Sequence, residues 1–428
     1  FFVIEVLVLN TAVLVLKRVG MAEDAFGYQP MVVILLGLEA AIVNKLLTDV
    51  NCVYDALAIS RFPAAMNIIL KLMMTAFVLA GYSIGMLNLT FFYIIQMIST
   101  MAVIALLIFA IYKRKKYRNA IGNPGIKAYG LEFFLYCRPL VLSTIVNQIV
   151  IIIMNWALMN WAGASEQAIF GAAWQLNTLV GYVFSPYAEL LKREFAVRDG
   201  VNNEMVSLYT RSVKMMAWLT SYFAMYIFAA CSWIVPLVFG SQYNGAMVVT
   251  KIIMVYTVFQ ALGQVFGSYL LAREQTKAQA CFASAGQFLT LLFVFVFQIP
   301  NFIWRQGLGA TGIALNYLVV NIIITLWKFM FINKNLKIRK EGCLQAVIWP
   351  IAVTFVAAYV SKFLVGYFVT GYGMVSTFLA ILLSGILYFG LLFVTLEMRP
   401  EVFGLTRDRL YELQKRVFGY ITGKRSKR

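Results

Sequence analysis

Apolar runs of about 20 residues, the length a helix needs to cross a bilayer, recur from one end of this chain to the other. Twelve can be read: 1–16, 31–48, 64–87, 89–112, 138–160, 168–190, 213–239, 246–271, 278–299, 308–332, 344–366 and 373–396. Hydrocarbon offers no water to satisfy backbone polar groups, so only helices and closed barrels can span it. Barrel strands leave a weaker signal, alternating segments of about ten residues. The chain is therefore predicted to be all-α and polytopic. Its composition fits: 62% of residues are hydrophobic and 13% charged, where an average soluble domain is about a quarter charged.

The formal net charge of +18 over 428 residues could suggest a nucleic-acid partner. Its placement argues against that. On a layout that crosses the membrane at each run, all but seven of the 36 Lys and Arg fall on one side. The exceptions are Lys17, Arg18 and Arg305 on the other side, and Lys71, Lys251, Lys328 and Lys362 within runs. This is the positive-inside pattern, which places the "KRKKYR" loop and the C-terminus in the cytoplasm of a multi-pass inner-membrane protein. Contact with anionic membrane lipids is then the expected use of the surplus charge, with no nucleic acid.

Inside the runs, polar residues keep helical spacing. Asn67, Lys71 and Thr75 lie one turn apart, and Tyr82 extends that face. A charge at bilayer depth costs about 2.5–3.5 kcal/mol on insertion scales, so Lys71 is a candidate for a cavity-facing cation. Snorkelling to an interface or pairing with Glu39 are the alternatives. Thr144, Gln148 and Asn155 share a face of the 138–160 run, with Asn147 beside it. Gln175, Thr178 and Tyr182 share one on the next run, and Tyr256, Gln260 and Gln264 one on 246–271; Asn316 and Asn321 mark 308–332. Any single amide can be explained by inter-helix hydrogen bonding. So many together suit a hydrated cavity better than a dry bundle.

What is missing narrows the chemistry. The chain has no histidine, and its five cysteines stand singly, so neither a metal site nor a nucleophile–imidazole pair can be assembled from them. No cofactor and no catalytic residue is expected. Glu5 and Glu39 are the acids that fall mid-run; Glu166 is read as a loop residue and Glu189 as a helix-end residue. A cation-coupled carrier needs a buried carboxylate, which leaves Glu39 as the possible coupling acid.

The longest break between runs, 113–137, is the expected boundary between an N-terminal lobe (1–112) and a C-terminal lobe (138–332). Two further helices (344–396) and a basic amphipathic tail (397–428) follow. Residues 61–118 and 273–340 read as same-direction repeats, each a basic loop, two runs and a basic segment. A six-helix repeat would leave the first lobe two helices short, so two are expected before Phe1. Pro139, Pro186 and Pro236 are read near helix ends and Pro350 just inside one.

The segment "FGAAWQLNTLVGYVFSPYAELLKREFAVRDGVNNEMVSLYTRSVK" resembles the polysaccharide and oligosaccharide flippases of the multidrug/oligosaccharidyl-lipid/polysaccharide (MOP, MATE-like) superfamily. "PLVFGSQYNGAMVV", "SYLLAREQTKAQA", "GLGATGIALNYLVVN" and "ALAISRFPAAMNIILKL" are similar to further loops and helix starts of that family. The resemblance implies fourteen helices in two six-helix lobes plus two. It also implies a flippase that moves undecaprenyl-diphosphate-linked repeat units across the cytoplasmic membrane by alternating access. Lys71 would then meet the anionic headgroup. Asn67, Asn147, Gln148, Asn155, Gln175, Gln260 and Gln264 would line the cavity. A polysaccharide polymerase and other assembly proteins would be partners. The alternative on the same fold is a cation-coupled multidrug exporter. A membrane enzyme would need an extramembrane domain, for which no loop is large enough.

Overall fold

A computed structural model describes residues 30–56, 61–113, 126–198, 203–298, 308–336, 340–368 and 373–398. The expected first run, the charged part of the "KRKKYR" loop and the basic tail lie outside them.

The described residues form eleven α-helices and one short 3-10 turn, with no strand among them. The helices are α1 (Met31–Ala56), α2 (Arg61–Ile84), α3 (Leu89–Lys113), α4 (Ile126–Ala162), α5 (Ala164–Val197), α6 (Asn203–Phe239), α7 (Ala246–Ala272), α8 (Thr276–Gln298), α9 (Gly309–Leu336), α10 (Lys340–Phe368) and α11 (Met374–Met398). Ten of them are long and apolar enough to cross a membrane, which makes this a multi-pass membrane protein. The exception is α5, whose sides carry Gln175, Asn177, Glu189 and Lys192 between its apolar turns.

Several helices outrun the apolar runs that announce them. Residues 126–137, read from the sequence as loop, are the first turns of α4. Helix α5 continues to Val197, and α6 starts at Asn203. An apolar scan stops at the first charges, but Lys, Arg and Glu are good helix formers. The same extension puts Pro139 and Pro186 well inside their helices, and Glu166 in the first turn of α5 rather than in a loop.

The chain divides into two compact units, Phe1–Lys127 and Ala128–Arg428. In the first, α3 packs against both α1 and α2. Val43, Leu47, Leu70, Val103, Ile104 and Leu107 form its core. The buried Tyr54 hydroxyl donates to the Leu107 carbonyl at 2.8 Å, tying α1 to α3.

In the second unit α7 is the central helix, packed against α5, α6 and α9. Small residues set the spacing: Ala172, Ala173, Ala188, Ala261, Ala310 and Ala314 are all buried. Two buried hydrogen bonds fix α5 against α7, Thr257 Oγ1 to Asn177 Oδ1 at 2.7 Å and Ser268 Oγ to the Ala188 carbonyl at 3.0 Å. Both join residues 80 positions apart, so the two helices run parallel in fixed register. The start of α9 meets α5 near its own start, because the Ala310 N–H donates to Glu166 Oε2 at 2.8 Å. Helices α5, α7 and α9 therefore share one direction. Lys192, Arg193, Arg273, Lys277 and Lys334 gather at one end of this unit, called the basic end below. Helices α10 and α11 pack on α6 through Ala229, Ala357, Ala358 and Tyr388, whose hydroxyl donates to the Tyr222 carbonyl at 2.7 Å.

Candidate functional site

A cavity of about 650 Å³ lies within the second unit, walled by α4, α5, α7, α8 and α9. Its long wall is α7, where Tyr256, Gln260 and Gln264 line it in one row at i, i+4 and i+8, with Gly263 and Gly267 beside them. Both glycines face polar neighbours. A Cβ on Gly267 would stand 3.5 Å from the Gln279 amide nitrogen, and one on Gly263 3.5 Å from the Thr325 hydroxyl.

The remaining walls are also rich in amides. Gln287 Nε2 donates to Asn147 Oδ1 at 2.7 Å, joining α8 to α4. Thr325 Oγ1 donates to Asn321 Oδ1 at 2.9 Å on α9. Gln279 Oε1 is buried without a partner. Such groups are costly to leave in apolar surroundings unless water or a ligand reaches them.

One cation stands out among them. Lys328 on α9 lines the cavity, is 8% exposed, and has no ion-pair partner among the described residues. The carboxylate of the cavity lining, Glu189 on the α5 wall, is held 2.7 Å from Lys192 by an ion pair one turn along α5. The net charge of the lining is thus positive. An unpaired ammonium in a water-poor site is expensive, and is kept where a ligand or trapped water compensates it.

Away from the basic end, the cavity meets a group of rings. Trp174 lies 5.1 Å from Tyr317 and 5.8 Å from Tyr256, ring centre to ring centre, with Phe170 5.6 Å from Trp174. Along α9, Lys328 is about 16 Å nearer the basic end than Tyr317. The cavity therefore has an aromatic end and a cationic one, with amides between.

Of the residues singled out in the sequence, Asn147, Gln260 and Gln264 come together here. Gln148, Asn155 and Gln175 do not: they lie on exposed faces of α4 and α5. Asn67, Lys71 and Glu39 belong to the other unit. Asn67 is half-buried, while Lys71 and Glu39 are exposed and form no ion pair with each other. Thr75 bonds back to the Lys71 carbonyl at 2.9 Å, so that row partly satisfies itself. The sequence reading passed over Lys328, although its signal was present as a lysine inside the 308–332 run. What sequence alone did not supply was its company, three other helices, α4, α7 and α8, that bring amides to the same cavity.

No protein-family model matches the chain. Over 100 residues, 23% of this chain and 19% of the relative, it is 31% identical to the lipopolysaccharide biosynthesis protein WzxC of Escherichia coli strain K12. The matched segment thus spans about a fifth of that protein's length. Among solved structures it is similar to an outward-facing multidrug resistance MATE transporter of the MOP superfamily, with a TM-score of 0.60 at 14% identity over 79% of this chain and 78% of that one. A MOP superfamily transporter from Pyrococcus furiosus, described as having a binding pocket of reversed polarity, is as close, at 0.60, 15%, 79% and 78%. The lipid II flippase MurJ, in an inward closed conformation, gives 0.60 at 13% identity over 85% of this chain and 74% of that one. The chain has the MATE-like, all-helical fold of the MOP superfamily, a fold shared by exporters and lipid flippases alike.

Proposed function

We propose that this protein is a flippase for lipid-linked oligosaccharides, moving polyprenyl-diphosphate-linked repeat units across the cytoplasmic membrane by alternating access. One observation carries the reading. Lys328, without an acidic partner, sits in an amide-lined cavity whose carboxylate is already neutralised by Lys192. A cation exporter would need the opposite polarity, with free carboxylates facing the cargo. An ammonium attracts phosphate strongly where water is scarce, and amide side chains match the alternating donors and acceptors of sugar hydroxyls.

In this reading Lys328 contacts the diphosphate, while Asn147, Gln260, Gln264 and Asn321 meet the sugars. Lys71, a lysine in mid-helix with no ion-pair partner, is kept as a second cationic contact. The half-buried Asn67 and the exposed Gln148, Asn155 and Gln175 remain candidate contacts, and Glu39 a candidate coupling acid. The protein carries out no chemical reaction. Its basic end and C-terminus face the cytoplasm; the first unit holds the N-terminal lobe (1–112), and the second holds the C-terminal lobe (138–332) together with the two added helices (344–396). Membrane lipids and a polysaccharide polymerase are its expected partners. The relation to WzxC supports the substrate class, and the fold shared with MurJ supports lipid flipping.

The test is mass spectrometry of polyprenyl-linked lipids from cells with the gene deleted and restored. Accumulation of one diphosphate-linked oligosaccharide, with loss of surface glycan, is the expected result. Unchanged lipids with altered sensitivity to cationic drugs would transfer the protein to the exporters.

A further inference from the structure

The end of the second unit opposite the basic cluster carries a separate groove of about 480 Å³, lined by Trp233 of α6 and by Tyr359, Lys362, Phe363, Gly366 and Tyr367 of α10. Its apolar walls are open: Phe363 is 76% and Tyr367 75% exposed. Gly366 faces the indole across the groove, a Cβ there standing 3.6 Å from the Trp233 ring. Over that ring sits Lys362, its ammonium 5.7 Å from the ring centre. Lys251, near the start of α7, is close enough for its charge to act on Lys362. No carboxylate acts on Lys362, the Cys231 thiol being the one acidic group that does, and neither lysine has an ion-pair partner among the described residues.

A lone lysine near a helix end is ordinarily a snorkelling one. Two lysines from different helices near one another, with no carboxylate to balance them, are a different arrangement. It falls at the membrane face where the chain otherwise places few cations. Charge complementarity names the occupant. The groove offers a cationic head site, an aromatic rim toward the end of α10, and an exposed apolar floor that an acyl chain can cover.

We propose that this groove binds an anionic phospholipid, its phosphate held between Lys362 and Lys251 and one acyl chain laid along Phe363 and Tyr367. The site is distinct from the amide-lined cavity and does not depend on what that cavity carries.

The experiment is native mass spectrometry of the full-length protein with phosphatidylglycerol, phosphatidylcholine and undecaprenyl phosphate as separate probes. Wild type is expected to retain phosphatidylglycerol in preference to phosphatidylcholine. Lys362→Gln and Lys251→Gln are each expected to weaken that preference about fivefold, the effect of about 1 kcal/mol per basic residue at an anionic surface. Lys362→Arg is expected to keep it. Equal retention of the two phospholipids by wild type overturns the proposal, and this arm needs no variant to fold. Unchanged preference in both glutamine variants overturns it as well. So does loss of undecaprenyl phosphate alone, which would make the groove a substrate site.

Discussion

Gln287 of α8 donates its amide hydrogen to the side-chain oxygen of Asn147 on α4 at 2.7 Å, a bond that closes one wall of the cavity. Helix α4 is otherwise held by a small apolar cluster, Val150, Met154, Ala157 and Leu158 with Val294 and Ile313. The amide pair thus both positions the helix and turns polar groups inward. Inter-helix hydrogen bonds in membranes contribute about 0.6 kcal/mol on average, so Gln287→Leu should lower the thermal midpoint only slightly. Its effect on glycan export should be larger than that loss explains. Thermal unfolding in detergent, set beside surface-glycan staining, separates the two. A fall in export that merely follows the loss of folded protein would reduce the pair to a structural bond.

Lys328 should show the opposite pattern. Replacing a buried unpaired charge by an apolar side chain of similar length is often stabilising, by about 1–4 kcal/mol where ion pairs have been replaced, so Lys328→Met should raise the melting temperature. The same change should abolish export, Lys328→Gln should do likewise, and Lys328→Arg should retain part of it. A more stable protein that no longer exports would mark the lysine as kept for its ligand. Full export by Lys328→Met would remove it from the site.

Lys71 separates the two units experimentally. It is exposed on α2 and has no ion-pair partner, so Lys71→Gln should leave the unfolding free energy within about 0.5 kcal/mol of wild type, as other exposed substitutions do. If it contacts the headgroup, surface glycan should fall several-fold in Lys71→Gln and recover in Lys71→Arg. Wild-type export from both variants would leave Lys71 without a role in transport.

The helices were legible because lipid imposes a simple rule on sequence, and each described apolar run corresponds to a helix. Their ends were not. Charged residues stop an apolar scan without stopping a helix, which is why α4, α5 and α6 extend past their runs. The row Tyr256, Gln260, Gln264 was legible for the same reason as the helices: one helix carries it, and spacing alone defines its face. Gln148 and Asn147 are neighbours in sequence yet turn different ways, and only the packing of α4 on α8 and α9 decides which one meets the cavity. Lys328 is the extreme case. Asn321 and Thr325 share its face of α9, but its meaning comes as much from α4, α5, α7 and α8.

Glu166 and Gly309 make the last prediction. The Glu166 carboxylate accepts the Ala310 N–H at 2.8 Å, capping α9 from the first turn of α5, where it also meets that helix's positive end. The chain can approach so closely because residue 309 is glycine with φ of +51°, and a Cβ there would stand 2.5 Å from the Glu166 oxygen. Gln298 Nε2 secures the same turn by donating to the Gly309 carbonyl at 2.7 Å. Gly309→Ala must therefore strain the backbone and displace the carboxylate together, and should cost more than the roughly 1 kcal/mol that either effect brings alone. Glu166→Gln keeps an acceptor but loses the charge, and should cost about 0.3–1 kcal/mol. In Gly309→Ala the carboxylate is already displaced, so adding Glu166→Gln should cost little more. Thermal unfolding of the two single variants and the double variant measures that coupling. Strictly additive losses would show that the cap and the glycine act separately.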